Sequence, residues 1–170
     1  RMVKIHERKF VSADPDKCVG CQVCEYACSL TKEKAFNPLK SRIRVVRVNQ
    51  LINLSVTCRL CENPPCVVAC PRDALTQSEE TGLVSVDKDK CNGCGWCIEA
   101  CDYGAIMLHP DSKVVYVCDL CKDKGEPQCI KWCPEEALEL VTSDVLAQKS
   151  RITAVKKLFQ EAIKETQTKR

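Results

Sequence analysis

Cys91-Asn92-Gly93-Cys94-Gly95-Trp96-Cys97-Ile98-Glu99-Ala100-Cys101 is the stretch on which the reading of the whole chain turns. Its spacing, C-x2-C-x2-C-x3-C, is that of a segment wrapped around a cubane [4Fe–4S] cluster. Such a cube offers four iron corners, and three closely set thiolates can each reach a different one. A single zinc ion makes no such demand. Its tetrahedral sites commonly take two C-x-x-C pairs from separate loops, which would leave a third cysteine at x2 unused. The fourth cysteine, after x3, falls on the helical turn leaving the loop, beyond a complete three-thiolate corner. From there it can ligate a different cluster from its neighbours.

The pattern recurs. Cys18-Val19-Gly20-Cys21-Gln22-Val23-Cys24-Glu25-Tyr26-Ala27-Cys28 has the same spacing, and both stretches align as D-K-C-x-G-C-x-x-C-x-x-A-C. Gly20 and Gly93 occupy the position where backbone must pass close to the cluster. A second loop type is C-x2-C-x4-C-x3-C-P at Cys58, Cys61, Cys66, Cys70 and Pro71. Its counterpart is Cys118, Cys121, Cys129, Cys133 and Pro134, with seven residues between the second and third cysteines. Both read C-x-L-C and then P-x-C-x-x-x-C-P-x-x-A-L, so the chain is an A–B–A–B repeat of two loop types.

Sixteen of the 170 residues are cysteine, a density that in a secreted chain would suggest disulfides. The opening Arg1-Met2-Val3-Lys4-Ile5-His6 is charged and carries no apolar h-region or twin-arginine signal. No apolar run approaches the length of a membrane span. A cytoplasmic chain whose reduced cysteines hold metal is therefore expected. The formal charge is +3 with every cysteine counted neutral. A cubane with four thiolates carries about −2, so four would bring the holo-chain to about −5. Nucleic-acid binding does not follow from the apparent basicity. Aromatic residues make up only 5% of the chain, so the clusters are expected to occupy much of the interior, with little stable fold without them.

Between the loops the pattern is short and β-rich. Residues before Asp14-Pro15 read as a short strand. Ser41 to Val48 and Leu51 to Val56 read as an inserted hairpin turning at Asn49-Gln50. Arg42, Arg44 and Arg47 are expected on its solvated face, with contact to an acidic partner as the other reading. Gly82 to Asp87, Ala105 to Leu108 and Val114 to Val117 read as further strands. Trp96 and Trp132, at equivalent places in two ligand loops, are expected to pack over clusters and shield them from water. His6 and His109 have no acid–base companions and are expected as solvated surface residues. No G-x-G-x-x-G follows a strand, so bound nicotinamide or flavin is not indicated.

Residues 143–170 contain no cysteine, glycine or proline. Ser143-Asp144 can cap a helix, and Ile152, Val155, Phe159 and Ala162 follow i, i+3, i+7, i+10 spacing. This is an amphipathic helix, expected to dock on a catalytic partner or a second copy; packing back on the chain's own clusters is the alternative.

Taken together, the four loops resemble the iron–sulfur electron-transfer subunits of molybdenum and tungsten oxidoreductases and of some hydrogenases, over about residues 12–140. The resemblance implies an α+β fold of two ferredoxin-like [4Fe–4S] modules, one inserted in the other. The outer module would be residues 1–35 and 111–142, with the hairpin at 36–56, the inner module at 57–110 and the docking helix at 143–170. It also implies which loops share ligands, a matter the spacing leaves open. One cluster would take Cys18, Cys21, Cys24 and Cys133, and its neighbour Cys118, Cys121, Cys129 and Cys28. The inner pair would be Cys58, Cys61, Cys66 with Cys101, and Cys91, Cys94, Cys97 with Cys70. The long fourth loop keeps open a set of three clusters plus a zinc or empty site.

The implied role is electron transfer with no catalytic site of its own, the partner being a tungsten or molybdenum pterin subunit, with further electron-transfer subunits possible. Membrane-bound relatives carry a C-terminal transmembrane helix, and here an amphipathic one stands in its place. The compact size is similar to the small subunits of tungsten aldehyde oxidoreductases and tungsten benzoyl-CoA reductases. A free-standing polyferredoxin shuttle is the rival reading, and a zinc-binding interaction module the more distant one.

Overall fold

The computed structural model describes residues 8–48 and 52–168, and of residues 162 and 165–168 the backbone alone. The elements run β1 (Phe10–Ala13), α1 (Val23–Glu33), a 3-10 turn (Pro38–Lys40), β2 (Arg44–Val48), β3 (Ile52–Val56), α2 (Pro65–Val68) and β4 (Leu75–Gln77). Then follow β5 (Val84–Val86), α3 (Trp96–Glu99), β6 (Met107–Leu108), β7 (Val115–Tyr116), α4 (Gln128–Lys131), β8 (Leu138–Val141) and α5 (Ser143–Thr168). The class is α+β. The strands form four separate two-stranded antiparallel sheets: β1–β8, β2–β3, β4–β5 and β6–β7.

β1 and β8 lie at opposite ends of the ferredoxin-like body in sequence, yet pair from Phe10↔Val141 to Ala13↔Leu138. All four β1 residues are buried, which is why Phe10-Val11-Ser12-Ala13 reads as a continuous rather than alternating strand. Two cores flank this closure. One gathers Cys66, Ala74, Leu75, Val84, Cys97 and Ile106; the other gathers Val11, Cys24, Cys28, Ile43, Cys129 and Leu138. Phe10, Leu60 and Val141 form a third cluster, with Leu120 and Leu146 packed against it. Val115 and Val117 belong to the first core, and β6 pairs β7 across residues 109–114.

Three expectations change. The β6 and β7 strands pair over two residues each, because the ligand loop that follows at Cys118 draws the chain away. Leu75–Gln77, which has no strong strand pattern, becomes β4 by pairing Val84–Val86. His109 is not solvated. Its side chain is 16% exposed beside Glu33 at 3.6 Å, stands edge-on to Tyr116, and accepts the backbone N–H groups of Asp111 and Ser112 at Nδ1. It organises the β6–β7 turn. His6 and the Asn49-Gln50 turn lie outside the described residues.

Two of the hairpin-region arginines, Arg42 and Arg44, are half-buried staples, while Arg47 is exposed as expected but still anchored. Arg42 pairs with Asp119 at 3.1 Å and Glu33 at 3.5 Å. Arg44 donates to the carbonyls of Pro38 and Leu39, and Arg47 to that of Gly20 at 2.8 Å. The Arg47 bond fastens β2–β3 to the first ligand loop. Glu25, only 3% exposed, accepts the Val45 N–H at 2.7 Å from the same hairpin.

Candidate metal centre

Each ligand loop is shaped by a few left-handed residues at matching positions. Gln22 and Gly95 (φ 64° and 88°) follow the second cysteine of the A loops, while Leu60 and Leu120 (φ 52° and 54°) precede that of the B loops. Gly20 and Gly93 both have φ +70°, and a side chain on Gly93 would meet the Lys113 carbonyl at 2.1 Å. Glycine is required there by the backbone of the β6–β7 turn as well as by its φ.

A second recurrence was not read from the sequence. Asp73, Gly104 and Glu136 are all left-handed, each three residues after a fourth cysteine. That turn brings the next N–H back onto sulfur: Ala74 to Cys70 at 3.3 Å, Ala105 to Cys101 at 3.4 Å and Ala137 to Cys133 at 3.4 Å. The three alanines are at most 2% exposed, which leaves no room for a larger side chain. Alanine at Cys+4 was the available signal. Cys28 is the exception, because α1 continues to Glu33; its donor is the Arg42 N–H at 3.3 Å, from beyond the helix.

All sixteen cysteines are free, and the structure brings them together in four groups, each drawn from two loops. Cys18, Cys21, Cys24 and Cys133 wall one void. Cys58, Cys61, Cys66 and Cys101 wall another, and Cys70, Cys91, Cys94 and Cys97 a third. In the fourth group Cys28 on α1 is close enough to Cys118, Cys121 and Cys129 to oppose the ionisation of each; all four are buried. Among the described residues, no three His, Cys, Asp or Glu side chains converge where one metal ion would sit. The thiols surround a volume rather than meet at a point, as a four-iron core requires and a single zinc does not.

The groups follow one another in a string. Cys118 feels the charge of Cys58, and Cys129 that of Cys24, while Cys66 and Cys97 share one core. The order is the Cys91 group, the Cys58 group, the Cys118 group and the Cys18 group. Only Cys94 and Cys21 are exposed, one in each end group. Trp96 and Trp132 are each 61% exposed, which overturns the expectation that they pack as shields. Trp96 opens α3 and Trp132 directly follows α4.

Electrostatics favour an anionic guest only when it brings iron. Burial pushes the Cys24 and Cys58 thiols up to about 11, and those of Cys66 and Cys118 up to about 12. At neutral pH these sulfurs hold protons until cationic iron displaces them. Cys70 moves the other way: burial raises it, but backbone N–H groups of Arg72, Ala74 and Leu75 outweigh that. Two cations lie against the sulfurs. Burial lowers Lys32, yet its bonds to Asp123 and Asp119 raise it further, keeping it charged near Cys121.

Arg59 stands over the Phe10 ring at 4.8 Å and faces Tyr103 at 5.6 Å. Its Nε and Nη1 are buried with no acceptor among the described residues, and it lines the Cys58 void. A sulfur-rich guest in that void would supply the missing acceptors, so these residues fit a cubane.

The first prediction concerns removal of that guest. Stripping iron with a chelator should abolish cooperative unfolding and near-UV ellipticity, because three small cores and four two-stranded sheets cannot hold a fold this size. Stripping should quicken as pH falls, since protons compete with iron for sulfurs whose pKa burial has raised. Circular dichroism on the apo-chain checks it; a native-like apo melt would refute it.

Comparison with known proteins gives the class of the chain. The 4Fe-4S dicluster domain family matches residues 49–143. The polyferredoxin-like subunit of an aliphatic sulfonate oxidoreductase from Pyrococcus furiosus is 43% identical, over 83% of this chain and 82% of that one. The thiosulfate reductase electron transfer subunit PhsB of Salmonella typhi is 35% identical, over 74% and 71%. Among solved structures, a chain of the active-site complex BamBC of benzoyl coenzyme A reductase with benzoyl-CoA is 28% identical, covering 85% of this chain and 89% of that one at a TM-score of 0.46. The chain belongs to the 4Fe-4S dicluster domain family, and its cysteines hold multiple [4Fe–4S] clusters.

Proposed function

We propose that this chain is the iron–sulfur electron-transfer subunit of an oxidoreductase complex, relaying single electrons along four [4Fe–4S] clusters to or from a catalytic subunit of the tungsten or molybdenum pterin type. The ligand sets are the four cysteine groups described above. The observation that carries this reading is their string-like order, with an exposed cysteine only in the two end groups. Bound cubanes supply one-electron chemistry without proton or group transfer. The protein supplies the rest: thiolates that fix position, N–H donors that stabilise negative charge on sulfur, and burial that keeps water from the middle of the string. The electron-transfer role also accords with the names of the Pyrococcus and Salmonella relatives.

No helix among the described residues is long and apolar enough to cross a membrane. α5 is the contact we assign to the catalytic subunit. Past Ser150 every α5 side chain described is exposed, which supports outward docking of that part of the helix. A shuttle that diffuses freely has no use for such a stripe.

Anaerobic purification of the native complex tests the reading. Expected are about 16 iron and 16 sulfide per chain, a visible band bleached by dithionite, and a co-purifying subunit containing tungsten or molybdenum. A colourless zinc protein, or a coloured chain migrating alone, would overturn it.

A further inference from the structure

The two end groups use the same loop type, so a symmetric pair of sites is the starting expectation. Their walls differ. The Cys91 void is completed by Arg72, Leu75, Asn92 and Val115, and the Cys18 void by Glu135 and by Val45 and Ser55 from the inserted hairpin. Ser55 lies in β3 opposite Val45 and is 4% exposed. Its hydroxyl oxygen is 3.7 Å from Cys24 Sγ and 3.9 Å from Cys18 Sγ.

Other buried hydroxyls nearby serve the backbone. Ser29 donates to the Tyr26 carbonyl, Ser41 to that of Ile43 and Thr57 to that of Val11. Ser55 faces sulfur instead. A thiolate bound to iron has no proton to give, so the hydroxyl must be the donor. Its place is held by the hairpin's clasp on the loop: Arg47 on the Gly20 carbonyl, and the Val45 N–H on Glu25.

We propose that Ser55 tunes the reduction potential of the cluster in the Cys18 group, raising it by donating its one hydrogen bond to the thiolate of Cys24, the nearer of the two sulfurs, and that the β2–β3 hairpin holds that donor in place. The inference rests on the reading that this group holds a cubane. Reduction adds negative charge that spreads onto the thiolates. A donor aimed at them stabilises the reduced state more than the oxidised one, and hydrogen bonds to cluster sulfurs are among the determinants of potential. The Cys91 end also has an exposed cysteine but, among the described residues, no hydroxyl in its wall. Ser55 is thus one difference between the two ends, beside the Arg72 guanidinium in the Cys91 wall and the Glu135 carboxylate in the Cys18 wall.

The test is an EPR-monitored redox titration of the holo-complex carrying Ser55→Ala or Ser55→Thr, with iron and sulfide measured on each. Cys18→Ala identifies the signal of this cluster. If that variant removes no cluster signal, the cubane reading fails, and it does so independently of Ser55. Given the signal, Ser55→Ala should make its reduction about tenfold less favourable, the scale of one hydrogen bond to a charged group, or about 59 mV for a one-electron couple. The other potentials and the iron content should not change. Ser55→Thr keeps the hydroxyl and should restore the potential. An unmoved signal in Ser55→Ala, an equal shift in Ser55→Thr, or loss of iron in Ser55→Ala would each overturn the proposal.

Discussion

Replacing Cys133 by alanine is expected to destroy the cluster held by Cys18, Cys21 and Cys24, about 110 residues earlier in the chain, and to spare the one held by its own loop. Cys133 lines the same void as the Cys18 loop, whereas Cys118, Cys121 and Cys129 have Cys28 as their companion. Removing the sulfur takes away one of four iron ligands and the acceptor of the Ala137 N–H. The outcome should be a three-iron cluster or none, and about four fewer iron atoms per chain in the second case. Cys121→Ala is the comparison. Its spectrum must lose a different cluster, one with no exposed ligand. If Cys133→Ala and Cys121→Ala erase the same signal, the sharing between loops is wrong. The effect should be large because a missing thiolate has no substitute nearby: the void is otherwise walled by Val45, Leu138 and other uncharged groups, with Glu135 the one carboxylate.

Ending the chain at Ser150 should leave the iron content unchanged and weaken association with the catalytic subunit at least about 100-fold. The place of the cut follows from the packing. Leu146 packs against Phe10, Leu60 and Val141, and Lys149 pairs with Glu139 at 2.5 Å, so the first two turns of α5 belong to the body. Ending at Thr142 would remove both and confuse the result. Beyond Ser150 the stripe is unused: Val155 is 50% exposed, Leu158 64%, Phe159 67% and Ile163 56%. Burying Ile152, Val155, Leu158 and Phe159 could contribute roughly 6–10 kcal/mol before ordering costs, enough to anchor a stable complex. A helix that projects alone is marginal in water, and packing normally supplies its stability. Helicity of the tail should accordingly rise on complex formation. Full-strength association of the shortened chain, measured by co-purification and titration, would refute the assignment; loss of clusters would mean that the helix supports the body.

What the sequence by itself determined was the chemistry and the class. Thiolates at x2, x2 and x3 fit a four-iron core because ligand reach is local: a few residues of loop span one cluster face. Local reach also explains why the amphipathic α5 and the strands around the loops were legible, since periods of 3.6 and 2 are properties of neighbouring residues. The limit came where partners are remote. Which loop faces which could not be read from spacing; contacts between segments remote in sequence, such as β1 with β8 and α1 with α4, bring the first and fourth loops together. The arginines of the hairpin look like an exposed charged face, yet Arg42, Arg44 and Arg47 find carboxylates and carbonyls outside the hairpin itself. Trp96 and Trp132 look like shields and stand in the open, because nothing in their own loops says what lies above them. Ser55 illustrates the same limit. In sequence it is one polar residue in a β-rich run; in the fold it is a buried hydroxyl set against two sulfurs. Spacing along the chain selects what can bind, and tertiary contacts select which donors, charges and walls surround it, because those forces act through space between segments that the sequence keeps apart.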